Sequence, residues 1–394
     1  MTLTPTRASA VSVRRLTTTL YGYSFLEEFV LLYPVYALLF SDTGLSVWQI
    51  SSLFALWSVT GVLLEIPSGV WADTVSRRLL VWLGPLLTAA GFTLWVLLPS
   101  YGAFALGFVL WGAGGALGSG ALEALVYDEL ERLGAEDDYA RIMGRARAAG
   151  LVAVMAAMGL AGSVLAWGGH AAVGAASVLV CLLTAATALR FPEHRTAGEG
   201  HGSWTGTLRA GLAEVRADRS VRGALLLVPA VTAVWGALDE YTPLLVRDTG
   251  VADGTVPYLL LLIWAGATVG SLLAGEGERL GSRGLAVLLA GAGLALVLGA
   301  ADGTPWGLVL VALAFGGFQA ATVLADARLQ RRVEDSGRAT LTSVAGLGTE
   351  LATVGAFGVY ALIASGHAHS TAFAVLAVPY LVTAAVVVLA GSRS

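Results

Sequence analysis

Two pairs of adjacent carboxylates stand inside otherwise apolar stretches of this 394-residue chain. Glu27 and Glu28 lie in L26-E-E-F-V-L-L-Y33, within a run from Leu16 to Phe40 that carries no other charge. Asp239 and Glu240 lie in the stretch W-G-A-L-D-E-Y-T-P, which runs from Trp235 to Pro243. Runs of this length cross a bilayer as a helix, which needs about 20 residues. A carboxylate at bilayer depth costs several kcal/mol unless it is paired, protonated or facing water. The chemistry open to such acids is to take up and release a proton, or to hold a cation. No histidine falls within an apolar span, since His170, His194, His201, His367 and His369 sit in loops or at helix ends. A histidine proton relay is therefore not expected, and the acids are the remaining candidates for this chemistry.

The elements that must position these acids are read from composition. The chain is 56% hydrophobic and 13% charged, with a mean hydropathy of +0.76. A soluble domain carries about 25% charge. Twelve apolar spans are expected, near 16–40, 47–71, 79–98, 102–127, 143–168, 171–190, 222–246, 255–275, 284–300, 305–327, 340–364 and 370–391. All 23 basic residues are arginines. With the N-terminus cytoplasmic, this count places every arginine except Arg247 on the inner side, as the positive-inside rule requires. Both termini are then cytoplasmic. All-arginine usage with abundant Ala, Gly and Val suggests a GC-rich bacterial genome, and the spans then imply a bacterial cytoplasmic membrane. Fifty glycines suit closely packed membrane helices. The one cysteine, Cys181, is expected to pack as a small apolar side chain.

Between residues 191 and 221 the chain turns polar, so two six-helix bundles, 1–190 and 222–394, are expected on either side of a cytoplasmic linker. The halves read as diverged copies. F40-S-D-T-G-L-S46 is mirrored by V246-R-D-T-G-V-A252, with Trp57 and Trp264 at nearly the same distance beyond. Asp128 precedes Arg141 as Asp326 precedes Arg338. Repeated halves with a site near the midplane are a transporter architecture.

The loop between the second and third spans reads G69-V-W-A-D-T-V-S-R-R78. It resembles the G-x-x-A-D-x-x-G-R-R/K signature of the major facilitator superfamily, with Ser76 where the family has glycine. The resemblance implies an all-α fold of twelve transmembrane helices in two pseudo-symmetric bundles, and a proton-coupled, drug-efflux-like carrier. It also implies a conformational gate: Gly69 for close helix approach, Asp73 as a brace, and Arg77 and Arg78 pairing with acids such as Asp128 and Glu129. Arg141, Asp326 and Arg338 are grouped with that gate. A buried arginine in the fourth helix and a Gly-Pro pair in the fifth, both frequent in proton-driven exporters, are missing: Phe108 and Ser163-Val164 stand there.

Tyr33, Tyr36, Trp57, Trp235, Tyr241 and Gln319 are candidate cavity residues, being aromatic or amide side chains in the spans. Arg247 is a candidate partner for Asp239 or Glu240. No enzyme motif is present: H-E-x-x-H, G-x-S-x-G and P-loop patterns are lacking. No cofactor, metal or nucleic acid is expected, and the partners are the lipid bilayer, protons and a small molecule bound by a monomer. Intramembrane charge is only acidic, which favours export of a small amphipathic or cationic compound against protons. Import of a neutral sugar, peptide or nucleoside is the other reading.

Overall fold

The computed structural model describes residues 7–194, 219–277, 281–331 and 338–391. Every regular element among them is helical: α1 (Arg7–Glu28), α2 (Tyr36–Asp42), α3 (Val47–Thr74), α4 (Arg77–Leu97), α5 (Tyr101–Gly118), α6 (Ala121–Arg132), α7 (Tyr139–Ala188), α8 (Arg219–Asp239), α9 (Thr242–Asp248), α10 (Val256–Gly277), α11 (Ser282–Asp302), α12 (Gly307–Gln330), α13 (Arg338–Ala364), α14 (His369–Leu376) and α15 (Val378–Gly391). Ten of the described helical segments are long and apolar enough to cross a membrane.

The difference between ten and twelve has two physical causes. The segment Glu136–Ala188 is 53 residues long, about twice one crossing. It turns back at Gly169, whose φ of 62° and ψ of −165° suit only a residue without a Cβ. The first span is missing because it is broken: α1 stops at Glu28, and helix resumes only at Tyr36.

The repeat is visible in the backbone. Helices α2 and α9 are each 7 residues long, and both their first and last residues are separated by the same step, Tyr36 to Thr242 and Asp42 to Asp248. Each is followed by a glycine turn of the same shape. Gly44 has φ 83° and Gly250 φ 82°, and each donates its N–H over 2.9 Å, to Ser41 and Arg247 carbonyls. The interruptions before these helices differ. The first half loses helix from Phe29 to Val35, the second only at Glu240 and Tyr241.

The chain divides into two compact units. One comprises the described residues of Met1–Leu39 and Leu56–Gly200, the other those of Phe40–Ala55 and His201–Ser394. In the first unit, Leu16, Leu20 and Tyr23 of α1 pack with Leu80, Val81, Leu125, Val126, Ile142 and Phe191 in a buried core. Backbone closeness positions α4 against α5. A Cβ on Gly84 would fall 2.7 Å from the Gly114 carbonyl oxygen, and one on Gly114 would fall 2.6 Å from that of Gly84. In the second unit α10 and α12 are also close, and a Cβ on Gly316 would fall 2.7 Å from the Gly266 carbonyl oxygen. Small residues that let backbones approach are how membrane helices pack without a hydrophobic driving force.

Candidate functional site

The break after Glu28 is what builds the site. Pro34 has no N–H to donate and disfavours helical geometry at Tyr33. The Leu32 N–H finds a side chain instead, the Ser177 hydroxyl oxygen at 3.0 Å. Glu27 and Glu28 are thereby the last two residues of α1, where the helix dipole is negative. Carboxylates are poorly suited to that end, and a proton or cation beside them relieves the repulsion.

Both acids line a cavity of about 170 Å³ whose walls come wholly from the first unit. Tyr33, Pro85, Thr88, Trp111, Cys181 and Thr184 line it as well, and no basic residue does. Cys181, expected simply to pack, is buried but borders this space. One wall is aromatic. Tyr33 stacks on Trp111 with centroids 5.2 Å apart, and Trp111 stacks on Trp57 at 4.8 Å. Tyr36 is buried behind it, edge-on to Trp111 and Phe108 at 6.0 Å.

The two acids differ in their surroundings. The Tyr23 hydroxyl lies 3.3 Å from Glu27 Oε1 and can donate to it. Glu28 faces Gly150 of α7, where a Cβ would fall 3.1 Å from Glu28 Cγ. Among the described residues no hydrogen bond or ion pair holds the Glu28 side chain. Tyr23 was not among the residues expected to matter; it stands one helical turn before Glu27, a spacing that faces side chains toward one another.

In the second unit Asp239 ends α8 and Glu240 follows it, both half-buried. Arg247 pairs with neither. Its guanidinium lies 2.7 Å from Asp42 and forms a two-pronged contact with Asp253 at 2.9 and 3.2 Å. Tyr241 is fully buried, hydrogen-bonded to the Ser51 hydroxyl at 2.6 Å and stacked on Tyr360 at 3.5 Å. The Trp235 backbone N–H donates to the Tyr380 hydroxyl at 2.6 Å, and its indole N–H to Thr322 at 3.2 Å. Gln319 is half-buried on α12. His369, placed at a helix end by the sequence, does enter a partly buried contact: its Nδ1 is 2.7 Å from the Tyr360 hydroxyl.

A third cluster lies around the signature loop. Arg77 forms an ion pair with Asp128, the pairing the resemblance implied. Arg78 donates instead to the Phe191 carbonyl at 3.5 Å. Glu193 was not foreseen. It accepts from the Arg77 N–H at 2.7 Å and from the Ser76 hydroxyl at 2.5 Å, while Ser76 caps α4 by accepting from Leu79 N–H. Glu129, only 2% exposed, accepts from the His194 N–H at 2.7 Å and from Arg132 at 2.9 Å. Arg141 pairs with Asp138 on the surface at 2.7 Å, a contact of little energetic weight. Asp326 is exposed on α12. Gly69, Asp73 and Arg338, and with them the expected brace, lie outside the described side chains.

Helical repeats spanning a membrane, each half interrupted in its first helix, define a transporter fold. The family model of the Major Facilitator Superfamily matches residues 19–286, and the chain belongs to that superfamily. A search of curated proteins returns no match. Among solved structures, a point mutant of the nucleoside transporter NupG superposes with a TM-score of 0.78 at 15% identity, covering 95% of this chain and 99% of that one. The POT family transporter PepTSo gives 0.69 at 13% identity, covering 96% and 98%. The E. coli fucose:proton symporter FucP gives 0.54 at 16%, covering 97% and 99%. At these identities the likeness is one of fold.

Proposed function

We propose that this chain is a proton-coupled secondary transporter of alternating access, in which Glu27 and Glu28 form the coupling site. The favoured cargo is a small amphipathic or cationic organic compound, exported in exchange for protons. One observation carries this reading: two carboxylates share a cavity with an aromatic wall and no basic residue. A proton and a cation compete for such a site, because each neutralises the same charge and only one is needed at a time. Aromatic faces add about 0.5–2 kcal/mol for a cation within reach.

The placement that goes with this is a monomer in a bacterial cytoplasmic membrane with both termini inside, its two bundles joined by the linker 191–221. Asp239 and Glu240 are assigned a supporting role in the second half. A second reading, proton-coupled import of a neutral nutrient, draws support from the uncharged hydrogen-bonding groups around Trp235 and Thr322. The fold likeness to a nucleoside transporter and a fucose:proton symporter points the same way.

The test is transport in proteoliposomes across a range of pH, with ethidium, tetraethylammonium, fucose and uridine as probes. Glu27→Gln and Glu28→Gln are measured separately. Cation flux that depends on pH and loses that dependence in at least one variant supports the export reading. Flux of fucose or uridine alone supports the second. Unchanged proton coupling in both variants contradicts the assignment of this acid pair.

A further inference from the structure

The hydroxyl of Tyr23 stands between two acceptors and has one hydrogen for them. Glu27 Oε1 and the Val81 carbonyl oxygen are each 3.3 Å away. The carbonyl is available for a reason that can be traced in the chain. Pro85 lies inside α4, four residues after Val81, and has no N–H to close the helical bond to it. Tyr23 is 1% exposed, held edge-on to Phe191 at 5.7 Å, so its ring is fixed while its hydroxyl can turn. Pro85 also lines the cavity, beside both acids.

We propose that Tyr23 is a positioning residue whose hydroxyl alternates between Glu27 and the Val81 carbonyl, making Glu27 the proton carrier of the pair and leaving Glu28 to meet the cargo. This rests on the coupling role given to the acid pair above and assigns its parts. When Glu27 is a carboxylate, the Tyr23 O–H points to it, since a charged acceptor makes the stronger bond. When Glu27 takes a proton from cavity water, it needs no donor. The Tyr23 O–H then turns to Val81, and the Glu27 O–H can donate to the phenol oxygen. Tyr23 itself keeps its proton throughout. Glu28, with no such partner and with room against Gly150, is free to follow a ligand.

Other groups acting on Glu27 belong to every neighbouring element. They are Glu28 on its own helix and Glu123 on α6, with Tyr33 after the break and Cys181 on α7. The cavity lining from α4 and α5 adds Thr88 and Trp111, without charge. Tyr23 is thus the side-chain donor to Glu27 among the described residues.

The experiment is an infrared titration of the purified full-length protein, following the carboxylic acid C=O band that is lost in Glu27→Gln. Tyr23→Phe removes the donor. Pro85→Ala restores an N–H to the Val81 carbonyl and so weakens the competing acceptor. The midpoint of the Glu27 band is expected to move by about one pH unit in Tyr23→Phe, and the other way in Pro85→Ala. A midpoint unmoved in both variants overturns the proposal, as does a shift of the same sign in both. Proton coupling of probe transport, measured on the same proteins, tests the underlying assignment separately. A midpoint that responds to Tyr23 while Glu27→Gln leaves coupling intact would fault the coupling role and not the hydroxyl's.

Discussion

Gly150 on α7 gives Glu28 the space it occupies: a methyl group there would stand 3.1 Å from Glu28 Cγ. That distance is tighter than ordinary contact but meets the middle of a flexible side chain, so Glu28 would be displaced and the backbone spared. Gly150→Ala is expected to leave folding intact and to weaken probe-cation transport. A penalty of about 1 kcal/mol corresponds to a loss of roughly fivefold in apparent affinity. Proteoliposome KM values for ethidium check it; an unchanged KM would mean that Glu28 has no part in binding cargo.

The aromatic wall leads to a graded prediction. Trp111 stacks on both Tyr33 and Trp57. Trp111→Ala removes both contacts and is expected to lower thermal stability in detergent, by less than the about 3–5 kcal/mol of a core Trp→Ala because the indole is half-buried and borders the cavity. Trp111→Phe keeps an apolar ring and is expected to fold, with cation affinity reduced by about 0.5–1 kcal/mol. Comparing tetraethylammonium with a neutral probe in Trp111→Phe separates the two effects. Equal losses for both probes would show that the indole face does not favour a cation.

The cluster around the signature loop makes a prediction about stability. Glu193 accepts from the Arg77 N–H and the Ser76 hydroxyl at the start of α4. Glu193→Ala strands both donors and is expected to cost about 1–2 kcal/mol. Glu129→Ala is expected to cost more, because this carboxylate is 2% exposed and serves both His194 and Arg132. Thermal unfolding of the detergent-solubilised protein gives the order. A Glu193→Ala protein as stable as the parent would show the cap to be incidental.

Arg247 supports a prediction about salt. It is paired with Asp42 and Asp253, all three partly solvated. Such pairs contribute about 0.2–1 kcal/mol each and are screened by ions. Arg247→Gln should therefore destabilise the protein slightly at low ionic strength and hardly at all in high salt. A deficit that persists in high salt would mean that the arginine acts through packing.

Much of the fold could be read from apolar runs, because bilayer thickness acts on the length and composition of each span. The repeat was legible too, through D-T-G turns that the backbone renders with nearly equal φ at Gly44 and Gly250. Glu27 and Glu28 stood out because a charge in an apolar run is costly. Their setting was harder to read. Pro34 signals a turn, but nothing local says that helix would already end at Glu28, with no helix again before Tyr36. That outcome depends on Ser177, far along the chain, accepting the Leu32 N–H. The role open to Tyr23 likewise depends on a carbonyl freed by Pro85 on another helix. Sequence distance makes Asp239 and Glu240 the candidate partners of Arg247. The chain instead brings Asp42 and Asp253 to it.

The central claim is that the acid pair at the end of α1 exchanges protons for cargo. It is tested most directly by proteoliposomes loaded with a pH-sensitive dye, in which a tetraethylammonium or ethidium gradient is imposed and proton movement is recorded. Proton flux opposite to the cation is predicted in the parent protein, with its loss in Glu27→Gln and a raised cation KM in Glu28→Gln. Proton flux of parental size in both Glu27→Gln and Glu28→Gln would contradict the claim.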